Sequence, residues 1–207
     1  MKLKIECSDL SKKFIYEWVF KGLTYSFENG QSYAITGPNG SGKSTLAQTI
    51  TGYLTPSSGI INYHKDNQKI PVEEVFKQLT FASPYMDLIE EFTLDEMLKF
   101  HFKFKKPLED LSINNLKELM QLDDVSKKQV KNFSSGMKQR LKLGLAFFSK
   151  STLLVLDEPT TNLDNSGVEW YLTQIEKFCK DRLVIVCSNL EREYHFCDHT
   201  INLSDWK

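Results

Sequence analysis

An α/β fold follows from two features of the sequence. Apolar runs of strand length alternate with helical stretches through most of the chain, and a glycine-rich turn joins one such strand directly to a helix. Strands alternating with helices imply a parallel sheet covered on both faces. The chain has 207 residues, 41% hydrophobic and 26% charged. That suits one larger domain, or a core with a subdomain insert, and excludes collagen-like or extensively disordered structure. Lys and Arg number 26 against 27 Asp and Glu, a net charge of −1, so no global basic excess draws the chain to nucleic acid or an anionic membrane surface.

Residues 1 to 36 read as short strands and turns. Leu3, Ile5 and Cys7 alternate with charged residues, and an apolar stretch from Leu23 to Phe27 ends at the turn Glu28-Asn29-Gly30. Ser32 to Thr36 is a compact strand. Lys43 to Thr51 reads as a helix stopped by Gly52, and Ile60 to Tyr63 as a strand. Thr93 opens a capping box with Glu96, followed by Leu94, Met97, Leu98, His101 and Phe102 at helical spacing, with Pro107 closing that helix. A second helix spans about Ser112 to Leu122, and a third starts at Ser134. A strand (Leu153 to Leu156), a helix (about Val168 to Lys180) and a strand (Leu183 to Cys187) follow.

The four cysteines, Cys7, Cys179, Cys187 and Cys197, form no C-x-x-C pair, and free thiols in a reducing compartment are expected. No apolar stretch reaches the ~18–20 residues of a membrane helix, and the N-terminus lacks the apolar core of a signal peptide. The expectation is a soluble, cytosolic chain with no direct membrane insertion.

Gly37-Pro38-Asn39-Gly40-Ser41-Gly42-Lys43-Ser44-Thr45 fits G-x-x-x-x-G-K-[ST], set between a strand and a helix. The glycines let successive N–H groups converge on phosphate oxygens, and the helix directs its positive end at the same anion. Lys43 reaches the terminal phosphates as a point charge, and Ser44 offers a hydroxyl to Mg²⁺. Further on, the apolar strand ending Asp157-Glu158-Pro159 delivers two carboxylates to the ligand edge of an open sheet. Asp157 is expected to hold Mg²⁺ through water and Glu158 to polarise the attacking water. Strand alternation is expected to turn the two side chains in different directions.

By these motifs and two more, the chain resembles the nucleotide-binding subunits of ATP-binding cassette (ABC) proteins over nearly its whole length. Phe133-Ser134-Ser135-Gly136-Met137-Lys138-Gln139-Arg140 looks like the family signature, and Thr160-Thr161-Asn162-Leu163-Asp164 like its D-loop. The resemblance implies a P-loop NTPase core with a mainly parallel sheet, an N-terminal antiparallel β-subdomain and an inserted helical subdomain. Residues 1–207 would form a single cassette, with 1–83 and 141–207 as β-subdomain plus core and 84–140 as the helical subdomain. It implies ATP and Mg²⁺ as ligands and hydrolysis to ADP and phosphate. By its sequence Ser134 can also cap a helix whose N-terminus forms an anion site. One chain would then own two phosphate sites, too far apart for one nucleotide, which suits a head-to-tail pair about a two-fold axis. Each ATP would lie between Lys43 of one chain and Ser134, Ser135 and Gly136 of the other, with Asp164 lining that interface. The pair would be a homodimer or two different cassettes.

Three departures from the family pattern stand out. Ser135 and Met137 replace the usual glycine and glutamine of the signature. The stretch Leu79-Thr80-Phe81-Ala82-Ser83-Pro84-Tyr85 lacks the family's glutamine, leaving Ser83 as the candidate near Mg²⁺. Asn189 stands where the family has a histidine; it can donate to the terminal phosphate but carries no charge. Slower hydrolysis follows as an expectation. Phe14 is the family-implied aromatic for adenine, with Tyr16 and Trp18 as competitors.

The resemblance further implies a separate transmembrane permease as partner and a cytoplasmic position at the inner face of the cell membrane. Rival readings are a soluble ATP switch, for cofactor assembly or a nucleic-acid machine, and a slow regulatory cassette. Phe100 and Phe104, at the edge of their helix's apolar stripe, are read either as subdomain core or as the lining of a groove for a partner's helix. The acidic residues Asp87, Glu90, Glu91, Asp95 and Glu96 are read as that groove's rim or as a solvated face. The spacing His195-x-Cys197-x-His199 is read as chain leading to the last strand, with no metal expected.

Overall fold

The structure, a computed structural model, describes residues 2–108 and 111–207. In chain order its elements are β1 (Leu3–Phe14), β2 (Glu17–Glu28), β3 (Ser32–Thr36), α1 (Lys43–Ile50), β4 (Ser58–Lys65), β5 (Gln68–Ile70), β6 (Leu79–Ala82), α2 (Leu94–Phe104), α3 (Ile113–Met120), α4 (Ser135–Phe147), β7 (Leu153–Asp157), α5 (Asn165–Phe178), β8 (Leu183–Cys187) and β9 (His199–Asn202). They form two compact units. The first comprises Met1–Thr80, Ser151–Asp157 and Lys180–Lys207; the second comprises Phe81–Lys150 and Glu158–Cys179. This division differs from the 84–140 insert drawn on the sequence. α4 is one continuous helix and cannot be cut at residue 140, and α5 packs on it through Phe147, whose ring lies 6.1 Å from those of both Trp170 and Tyr171.

The first unit contains an antiparallel sheet in the order β2-β1-β4-β5. β1 and β2 run twelve residues each, in place of the short strands expected. Register shifts between Cys7 and Leu10, Leu10 and Lys12, and Lys12 and Lys13 interrupt the alternation that would have revealed them. Such bulges raise the local twist of a long pair. Leu3, Ile5, Leu10, Phe20, Leu23 and Phe27 form the buried side. The second sheet has the order β6-β7-β8-β3-β9. β3 pairs in parallel with β8 and β9, and β7 with β8. β7 and β8 are buried along their whole length, which is why they read as continuous apolar runs. The register Asp157–Cys187 and Cys187–Ile35 levels the C-terminal ends of β7, β8 and β3 on one edge.

In the second unit Thr93 and Glu96 make the expected capping box at α2, and Ser112 with Asn115 makes another at α3. Leu94, Met97 and Leu98 of α2 and Leu116 and Met120 of α3 are buried. Lys117 pairs with Asp95 at 2.9 Å, joining the two helices. α2 ends at Phe104, three residues before Pro107. α5 begins three residues earlier than expected because Asp164 caps it, accepting from the Gly167 N–H at 2.8 Å.

Candidate active site

On the common edge of β3, β8 and β7 the chain turns from Thr36 into the glycine-rich loop. Gly37, Gly40 and Gly42 all have positive φ. Gly42 is the sharpest requirement: at φ 101° it is the N-cap of α1, and a Cβ there would meet Val19 Cγ1 at 2.1 Å. β2 thus lies directly against the loop. Among the five α-helices of the described residues only α1 has no side-chain cap; Thr93, Ser112, Ser134 and Asp164 cap the others. The first-turn N–H groups of any helix lack intrahelical acceptors, so this N-terminus presents bare donors with the dipole's positive end behind them. The Ser41 Oγ is buried with no hydrogen-bond partner. Lys43, itself buried, folds its ammonium back onto the carbonyls of Gly37 at 2.9 Å and Pro38 at 3.2 Å. Backbone donors, an orphaned hydroxyl and a cation held only by loop carbonyls fit a phosphate chain.

Asp157 is the last residue of β7 and 2% exposed. Ser44 follows Lys43 on α1, whose start is tied to β8 by the Cys187 thiol donating to the Lys43 carbonyl. Asp157 and Ser44 are oxygen donors suited to a hard cation. Among the described residues no three His, Cys, Asp or Glu side chains gather to hold an ion alone, so water or phosphate oxygens would complete the shell. Asn189, two residues beyond β8, donates its amide to Asn39 Oδ1 of the loop at 3.0 Å. Asn39 had no side-chain role in the sequence reading. The long reach from 39 to 189 left no local signal of this contact.

Three aromatics stand on the β1–β2 hairpin, which Val19 holds against the loop. Tyr16 is 94% exposed at its tip. Trp18 has the ammonium groups of Lys13 and Lys21 over its ring, at 5.2 and 4.8 Å, whereas Phe14 has only that of Lys12 at 5.1 Å. Phe14 therefore keeps the more available ring of these two.

The second unit carries the remaining candidates. Glu158 follows Asp157 but lies outside the strand, with φ 45°. A left-handed backbone turn, and not strand alternation, separates the two carboxylates; for a residue with a Cβ this is a strained conformation. Ser134 caps α4 by accepting from the Met137 N–H at 3.2 Å. Its hydroxyl stays exposed with its own hydrogen to donate. Ser135 and Gly136 form the helix's first turn. Asp164 spends its carboxylate on Gly167 and Ser166, and those hydrogen bonds, the Gly167 N–H first, hold its pKa below the ordinary value. Ser83 is buried, and its hydroxyl accepts from the Tyr85 N–H at 3.4 Å within its own turn. Phe92, Phe100 and Phe104 form an edge-to-face series, with centroids 5.5 and 5.2 Å apart and Phe104 76% exposed. Gln139, which no sequence pattern marks for a role of its own, is buried and donates to the Pro159 carbonyl at 2.8 Å.

Comparison with known proteins points one way. A family model described as ABC transporter matches residues 20–161. The chain is 30% identical to the uncharacterized ABC transporter ATP-binding protein YybJ of Bacillus subtilis (strain 168), over 97% of this chain and 92% of that one. Among solved structures it resembles a putative ABC transporter (ATP-binding protein) from Pyrococcus furiosus, with a TM-score of 0.81, 26% identity and 99% of both chains covered. It shares its fold with MJ0796, a bacterial ABC transporter cassette solved as a dimer, at a TM-score of 0.80 and 22% identity over 96% of this chain and 94% of that one.

Proposed function

This chain belongs to the ABC transporter family, and we propose that it dimerises around Mg·ATP and hydrolyses it to drive a separate membrane permease. The observation that carries the reading is the bare N-terminus of α1 with Lys43 folded over it. Incoming phosphate oxygens take the loop N–H groups, and Lys43 exchanges two carbonyl contacts for a full negative charge, a stronger, charge-assisted bond. Ser44 and Asp157 would hold the magnesium that accompanies the nucleotide, and the ion would supply neutralisation of the charge that builds on the phosphates. Phe14 stacks on the adenine. Glu158 accepts the proton of the attacking water, its direction fixed by the left-handed turn. Asn189 turns its amide from Asn39 toward the terminal phosphate, as a neutral donor where a charged one would stabilise more.

Dimerisation is the reading for α4. Ser134 Oγ–H and the N–H groups of Ser135 and Gly136 meet the phosphate held by the opposite copy, an isologous arrangement that the dimeric MJ0796 cassette supports. The series of half-buried Phe92 and exposed Phe100 and Phe104 is the proposed seat of a permease helix. No helix among the described residues is long and apolar enough to cross a membrane, and the proposed position is peripheral, at the inner face of the cell membrane.

The test uses the Glu158→Gln chain as bait on detergent-solubilised membranes with Mg·ATP. The expected result is one polytopic membrane protein, lost with Lys43→Ala and weakened by Phe100→Ser. Recovery of soluble partners alone would replace the transporter reading with that of a soluble ATP switch.

A further inference from the structure

The loop that carries Glu158 is held by the first turns of α4. Gln139 is 2% exposed, and its side-chain N–H donates to the carbonyl of Pro159, the residue directly after Glu158, at 2.8 Å. One turn earlier on the same helix, Gly136 lies so close to the loop that a Cβ would stand 3.1 Å from the Asn162 carbonyl oxygen. Between these two points the loop closes on itself, with Thr161 N–H donating to Glu158 O at 3.2 Å and Leu163 N–H to Thr160 O at 3.0 Å. Glu158 at φ 45° and Asn162 at φ 65° are both left-handed residues with side chains. Such conformations persist only where the surroundings over-determine them. Pro159 and Thr160 are buried, so the Pro159 carbonyl has to find its partner inside the protein.

We propose that Gln139 is a positioning residue for the hydrolytic step: by binding the Pro159 carbonyl it keeps the preceding peptide turned so that Glu158 meets the attacking water. This rests on the role given to Glu158 above. Gln139 is buried with its amide on the Pro159 carbonyl, and acts through the backbone. An amide is suited to the task because it donates to a carbonyl without placing a charge in a buried position. A displacement of the general base of about 1 Å is enough to cost on the order of 10²-fold in rate.

The test is a double-mutant cycle on the full chain with Mg·ATP, reading single-turnover hydrolysis and the nucleotide Kd for Gln139→Met, Glu158→Gln and the pair. Gln139→Met keeps the size of the side chain and removes the donor. The expected result is a roughly 10- to 100-fold loss of rate with Kd changed less than about twofold, and a loss that nearly vanishes in the Glu158→Gln background. A rate loss that persists undiminished beside Glu158→Gln, or that comes only with lost nucleotide binding, overturns the proposal, as does an unchanged rate. Should Gln139→Met fail to fold, Gln139→Glu serves. Its acid form can donate and its anion cannot, so its deficit against the unmodified chain should grow as pH rises; a constant deficit overturns the proposal. An unmodified chain without Glu158-dependent hydrolysis overturns this proposal and the function above together.

Discussion

Two helix N-termini in this molecule are candidate phosphate sites, and they are built by opposite means. That of α1 is made of backbone: three glycines at positive φ, no side-chain cap, and a lysine resting on loop carbonyls. That of α4 is finished by side chains, with Ser134 capping the helix and Gln139 and Gly136 meeting the loop of Glu158. The first is left with unmet donors and gains most when an anion arrives. The second has its cap in place, Ser134 on the Met137 N–H, and offers the N–H groups of Ser135 and Gly136 on a rigid surface to an anion held elsewhere. An uncapped terminus thus suits the primary binder and a capped one the clamp.

The largest expected effect breaks the first site. Lys43→Ala removes the charge that answers the phosphates, and kcat/KM for Mg·ATP should fall by about 10²–10³-fold in a steady-state assay, with thermal stability little changed. Loss of stability without loss of catalysis would show that Lys43 serves the loop and not a ligand.

The second unit should be the more sensitive to acid. His101 Nε2 meets Ser149 Oγ at 2.9 Å, and burial lowers the His101 pKa to about 4 from 6.5. Ser149 Oγ donates to the Leu145 carbonyl at 2.6 Å, so it accepts from His101, fixing the neutral Nε2–H form. Between pH 6.5 and 4 the unfolded chain binds more protons than the folded one. Stability is therefore lost as pH falls through that window, by on the order of 3 kcal/mol. Denaturant unfolding at pH 7 and 4.5 should show the drop, and His101→Gln should reduce it.

Gly42→Ala separates backbone demand from chemistry. The change forces an alanine to φ 101° against Val19 and should cost about 2–3 kcal/mol. Gly30→Ala, also at positive φ but with open space around it, should cost about 1 kcal/mol. Equal losses in chemical unfolding would mean that Val19 yields freely. The smallest effect belongs to the clamp: Ser134→Ala should cost about 1 kcal/mol of stability through the lost cap and leave the nucleotide Kd of the isolated chain unchanged.

The contrast also explains what was legible in the sequence. Gly37 to Thr45 could be read because glycine, lysine and serine at fixed spacing state a backbone requirement directly. Capping pairs such as Thr93 and Glu96 were equally plain, being local. The long β1–β2 pair was not, since its register shifts interrupt the period that identifies a strand. Nor were the contacts of Asn39 with Asn189 and of Gln139 with Pro159. They join residues 150 and 20 positions apart, and nothing in a local pattern marks them. The left-handed Glu158 was invisible for a different reason: its neighbours impose that conformation against its own preference.

In the arrangement proposed above, the bare and the capped terminus act on one nucleotide from two copies of the chain. Light scattering on Glu158→Gln tests it most directly. With saturating Mg·ATP the mass should be that of two chains; without nucleotide, or with Lys43→Ala added, that of one. A chain that binds ATP one-to-one yet stays at the mass of a single copy would contradict the account.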